Sequence, residues 1–275
     1  MQADLFIARK LREMDRALPA ETKRVVTAAD DEAVHDLRVT IRRLRTVLKL
    51  ARPLYGRFLA DAVRRSFAAV QQATGDLRDE EALAETLDKL DKLDAPTAAA
   101  LRTWRDRRRA RERLLRRAVV RHLQSGELAK ARALLGALTT LPVKPNRRKD
   151  LARFALRCTE DARRTVDSLR GASTDDSVAL HDLRIAYKHL RYSIEIFEGA
   201  LPADVAAVRE PATKFQKRLG DIHDIDVALE TIARARGLTV LVRTKLRTAL
   251  TAVRGKKIEA YEREMRPTPA SALTG

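Results

Sequence analysis

Cysteine is nearly absent: Cys158 stands alone in 275 residues, which excludes an intramolecular disulfide and a cysteine-built metal site. Aromatic residues make up only 4%, leaving little material for the stacking platforms that single-stranded nucleic acid uses. Ten glycines and nine prolines are too few for a loop-rich or low-complexity chain. No stretch approaches the run of about 18 apolar residues that a membrane span needs. Met1–Arg9 contains Asp4 and lacks the apolar segment of a secretion signal. The expectation is a cytoplasmic protein without membrane contact. Strand-like alternation is missing too, since no period-2 run rich in β-branched residues is long enough for a sheet.

What is present points to helices and to a polyanion. Hydrophobic residues reach 45%, enough to bury a full core. Ala, Leu, Arg, Glu and Lys dominate, and these are the stronger helix formers. Lys and Arg number 56 against 38 Asp and Glu, a net charge of +18. A field of that sign attracts nucleic acid, an anionic membrane or a phosphate polymer. A general bias toward arginine would give the same total, so the placement of the charge has to decide.

The chain repeats itself. Val34–Leu50 reads VHDLRVTIRRLRTVLKL, and Leu180–Ile196, 146 positions on, reads LHDLRIAYKHLRYSIEI. At nearly the same offset Gly75-Asp76-Leu77-Arg78-Asp79 matches Gly220-Asp221-Ile222-His223-Asp224. Glu85-Thr86 and Glu230-Thr231 continue the register. Matches in one order at a nearly constant offset indicate duplication. Periodicity and breakers predict helices over 4–18, 31–51, 57–74, 78–93, 97–123 and 127–138, then 149–170, 176–198, 203–219, 223–236 and 239–265. Pro19, Gly75 and Gly220 are read among the breaks. The architecture expected is all-α, with a first bundle over 1–140, a second over 147–266, a linker at Leu141–Asn146 and a flexible tail at 267–275.

At 100° per residue, His35, Arg38, Arg42, Arg45 and Lys49 fall within a sector of about 80°. Leu37, Ile41, Leu44 and Leu48 form the apolar stripe beside it. Like charges at these spacings repel, and no Glu relieves them, so an external anion is the economical reason for the row. His181, Arg184, Lys188 and Arg191 repeat it, and Glu195 stands where the first copy has Lys49. His189, over Arg43, rotates off the row and carries less weight.

The segments VHDLRVTIRRLR and LHDLRIAYKHLR, each followed by a helix ending in a Gly-Asp turn, resemble the CHAD domain, the conserved histidine α-helical domain. The resemblance covers nearly the whole chain. It implies two antiparallel helical bundles related by internal pseudo-twofold symmetry around a basic central groove or channel. It also implies non-catalytic binding of inorganic polyphosphate, with no cofactor and no metal. By motif position its basic residues fall on His35, Arg38, Arg42 and Arg45, and on His181, Arg184, Lys188 and Arg191. Lys49 extends the first row. Lys214, Lys217 and Arg218 are added by their spacing before Gly220, Arg64 as a substitute on the first-half side, and Arg105, Arg108 and Arg109 as weaker candidates.

Arginine forks meet phosphate oxygens in pairs, and a phosphate chain offers nothing else to read. With so few aromatics, polyphosphate is preferred over nucleic acid, and duplex-backbone binding is the competing reading. A third reading is a scaffold for an acidic protein or granule surface. A fourth is a metal-dependent phosphohydrolase built on Asp221, His223, Asp224 and Asp226, with Asp76 and Asp79 in the other half. Those aspartates follow a glycine, where capping of the next helix and pairing with arginine are expected instead.

Overall fold

The computed structural model describes residues 1–265 apart from 29, 31, 145, 146, 148 and 172. The tail expected at 267–275 and the end of the expected linker lie outside the described residues. The fold is all-α. The first part of the chain forms α1 (Ala3–Val26), α2 (Ala33–Leu50), α3 (Arg52–Tyr55), α4 (Arg57–Ala73), α5 (Gly75–Asp88), α6 (Ala95–Gln124) and α7 (Glu127–Thr140). The second forms α8 (Leu151–Leu169), α9 (Ser177–Phe197), a 3-10 turn over Glu198–Ala200, α10 (Ala203–Ala207), α11 (Arg209–Ala233) and α12 (Val240–Met265). No described helix is long and apolar enough to cross a membrane.

Helix α2 forms as its pattern requires: Leu37, Ile41, Leu44 and Leu48 are all fully buried. It packs between α1 and α4, while α9 packs between α8 and α11, and α2 and α9 touch each other. At its start α9 is capped by Asp176, whose carboxylate accepts from the backbone N–H of Val178 (2.9 Å) and Ala179 (3.0 Å). That cap puts His181 on the second turn.

Two expected breaks do not occur. Helix α1 runs on through Pro19 to Val26. Leu18 and Val25 on either side of the proline are fully buried, and that packing outweighs one lost backbone hydrogen bond. Helix α11 passes through Gly220 without interruption. Ala212, Leu219, Ile222, Ile225, Ala228 and Ile232 are all buried along it, so a continuous apolar face outvotes one flexible residue. Asp221, Asp224 and Asp226 therefore lie inside a helix and cap nothing, which corrects the capping expectation. At Gly75 the change of helix is real, with Thr74 as the junction between α4 and α5.

Three apolar clusters hold the helices. The first joins α1, α2, α4 and α7 to the start of α8 and to Tyr192, Ile196 and Phe197 at the end of α9. The second places Leu83, Leu101 and Trp104 of α5 and α6 against Ile225, Ile232, Leu246 and Leu250 of α11 and α12. The third unites α8, α9, the first half of α11 and Tyr261. Two of these clusters draw on both sequence halves, and that packing fixes α2 against α9.

Candidate functional site

The basic row of α2 is held by neutral acceptors. Arg38 Nη1 donates to the carbonyl of Gln71 (2.7 Å) and to Thr74 Oγ1 (2.9 Å) at the α4–α5 junction. Arg45 Nη1 donates to Gln71 Oε1 (2.6 Å). Arg42 reaches across to α9, its Nε donating to Tyr192 Oη (3.0 Å). These bonds orient the guanidinium groups and leave their charge uncancelled. His35 sits half-buried near Arg78 and Arg42, and burial, then those two cations, holds its imidazole below the usual range.

The α9 row faces it. Lys188 is the most perturbed amine of the pair: burial pushes it down to about 7, reinforced by Arg42, Arg184, Arg191 and Arg38. Those four arginines come from both helices, so the rows converge on this one ammonium. His181 Nδ1 lies 3.4 Å from Nδ1 of His223 on α11. A hydrogen bond there needs one of the two nitrogens unprotonated, and burial followed by Arg184 and His181 pushes His223 down to about 4. The Nε atoms of Arg45, Arg184 and Arg191 are buried and have no acceptor among the described residues. Leaving such donors unmet costs about 1–3 kcal/mol each.

Several cations elsewhere are paired. Arg52 meets Asp61 at 2.6 Å, Arg132 meets Asp15 at 2.7 Å and Arg116 meets Glu81 at 3.1 Å. Among the described residues Arg38, Arg42, Arg45, Lys49, Arg184 and Lys188 form no ion pair, and Arg191 reaches Glu195 only at 3.6 Å. Asp79 near Arg38 and Asp224 near Arg184 temper the field without closing on it.

The other basic residues named from sequence are not all brought in. Lys214 and Arg218 turn to α12 and grip Glu264 at 3.3 and 2.9 Å, so their spacing on α11 does not aim them at the two rows. Lys217 is exposed; it precedes Asp224 by two helical turns and lies on that side of α11. Lys49 is exposed at the end of α2. Arg64 lies beside Arg45, with its Nε 3.1 Å from Asp61. Arg105 is paired to Asp88, Arg108 to Glu80, and Arg109 stands 3.6 Å from Asp106.

Three residues were underrated or missed. His189 is not turned away: burial, then Lys49, Lys188 and Arg45, pushes it down to about 4, which puts it among the basic side chains of α2. Arg78 adjoins His35 and Arg38, and His223 adjoins His181. The repeat contained the signal for both, since Arg78 and His223 occupy matched positions. Tyr187 and Tyr192 are 4% and 2% exposed, so neither offers a face to a base. No group of three or more described His, Cys, Asp or Glu residues could hold a metal ion. Asp221 is bound to Lys257 at 2.7 Å and Asp226 to Arg254 at 2.6 Å.

The CHAD domain family model matches residues 9–233, and the chain belongs to that family. Among solved structures it is similar to the CHAD domain from the plant Ricinus communis, with a TM-score of 0.78 and 21% identity over 98% of this chain and 93% of that one. It is also similar to PptA from Streptomyces chartreusis, with a TM-score of 0.73 and 17% identity over 96% and 98%. At these identities the likeness is one of fold. No curated protein matches.

Proposed function

We propose that this protein binds inorganic polyphosphate, without catalysis, in a basic groove walled by α2 and α9. The observation that carries the reading is Lys188, part-buried among Arg38, Arg42, Arg184 and Arg191 with no carboxylate paired to it among the described residues. A folded protein rarely retains buried, unpartnered cations unless something outside supplies the anion. A linear phosphate polymer does so at every unit. The ligand-binding set is His35, Arg38, Arg42, Arg45 and Lys49 from one wall and His181, Arg184, Lys188 and Arg191 from the other, with His189, Arg78 and His223 beside them. Lys217 remains a rim candidate. Lys214 and Arg218 would join only by giving up Glu264.

The matching neighbours of α2 (α1 and α4) and of α9 (α8 and α11) support a duplicated architecture. In it, units 1–140 and 147–266 are related by a pseudo-twofold axis and form one binding body. Nucleic acid is the less favoured ligand because the tyrosines nearest the rows are buried and cannot stack on bases. The test is calorimetry with long-chain polyphosphate, duplex DNA and RNA at equal phosphate and salt. Polyphosphate should bind more tightly than either, and Arg42→Ala should weaken it by about tenfold, or about 1.4 kcal/mol. Equal affinity for all three would reduce the reading to unselective polyanion binding. Phosphate release that requires Mg²⁺ and is lost in Asp224→Ala would replace it with hydrolysis.

A further inference from the structure

Helix α11 leads from the two rows to a second basic cluster. Residues 223, 227, 230 and 234 lie within a sector of about 60° on an α-helix. His223 closes on His181 at one end of this strip. At the other end Val227, Glu230 and Arg234 line a cleft of about 740 Å³, and α6 forms its opposite wall with Arg107 and Arg111. Arg236, just beyond α11, completes the lining. The rise from His223 to Arg234 is about 16 Å.

This cluster is built on a fixed turn. The indole Nε1 of Trp104 donates to the carbonyl of Arg236 at 3.2 Å. At Gly237, where φ is +86°, an added Cβ would stand 3.0 Å from Arg107 Nη1. The missing side chain is what lets Arg107 lie across the turn. Arg107, Arg234 and Arg236 pair with no carboxylate among the described residues. Arg111 is 3.5 Å from Glu80, which Arg108 already occupies. Glu230 is set against four exposed guanidinium groups, so the cleft is net positive.

We propose that the cleft between α6 and the end of α11 is a second phosphate-binding stretch for the overhanging end of a polyphosphate chain anchored between α2 and α9. The inference rests on the binding reading above. It makes the protein selective for chain length, because a short oligomer fills the first site and never reaches Arg234.

The experiment compares tripolyphosphate with long-chain polyphosphate by calorimetry. A triple variant, Arg107→Ala with Arg234→Ala and Arg236→Ala, should lose about tenfold for the long chain and keep its affinity for tripolyphosphate. A charge-matched variant, Arg102→Ala with Arg113→Ala and Arg117→Ala, removes three exposed arginines of α6 outside the cleft and should lose far less. Unchanged long-chain affinity in the first variant, or equal loss in both, overturns the proposal. Arg42→Ala separates the two readings. If it weakens both ligands while the triple variant weakens neither, the anchor stands and the second stretch falls. If it weakens neither while the triple variant weakens the long chain, the anchor reading is the one that fails.

Discussion

Lys188 loses its proton far below the ordinary lysine range, at about 7, because burial and four neighbouring arginines disfavour its charge. The unfolded chain keeps that proton up to about 10.4. Between these values the unfolded state binds more protons, so stability rises with pH through the window and the cost is fullest at pH 7 and below. Lys188→Met should therefore stabilise the free protein, by about 1–4 kcal/mol near pH 7, with the gain shrinking toward pH 10. Denaturant melts across that range measure it, and a variant less stable than the parent at pH 7 would contradict the assignment. The same variant should bind polyphosphate more weakly, because the charged ammonium is what the ligand rewards.

Proton uptake follows from the same residues. A phosphate chain placed among Arg38, Arg42, Arg184, Arg191 and Lys188 reverses the field that drives protons off. His35 and His181 are also held below their usual range, by burial first and then by nearby cations. His223 faces His181 from α11. Binding should thus take up protons, and affinity should rise as pH falls from 8 to 6. Calorimetry in two buffers of different ionisation enthalpy reports the uptake directly. Equal heats in both, with affinity flat across that range, would remove the coupling.

Among the elements, α11 separates what the sequence states from what packing decides. Gly220 reads as a turn, yet the helix continues because buried residues on both sides share one apolar face. Nothing lies within 4 Å of a Cβ built there, and its φ is not positive. Gly220→Ala should raise stability by about 0.5–1 kcal/mol, visible as a higher Tm; a turn at that position would give a loss. The α2 stripe and its basic row were legible because period and chemistry repeat within one helix. His189 was not, since a wheel gives an angle and not a neighbour: α9 is contacted by α8, α11 and α2, so leaving the row does not mean facing water. Lys214 and Arg218 were misaimed for a related reason. Their partner Glu264 is 46 residues from Arg218, and no local pattern announces it.

At the scale of the whole molecule, a net charge of +18 attracts any polyanion, and only geometry can sort them. The cations of α2 and α9 are mostly recessed, with Lys188, Arg38 and Arg184 all part-buried, whereas Arg107, Arg113 and Arg117 on α6 are exposed. On the proposed reading a single flexible phosphate chain reaches these recessed side chains, whereas a rigid duplex meets the exposed ones. Both ligands should show affinity falling steeply with salt, since each neutralised phosphate releases counterions with a slope of about 0.7–0.9 per contact. Arg42→Ala should reduce the slope for polyphosphate by about one contact and leave that for duplex DNA unchanged. Arg113→Ala with Arg117→Ala should do the reverse. Titrations over a salt series measure both slopes, and a common response of the two ligands to either variant would mean that one outer surface serves them both.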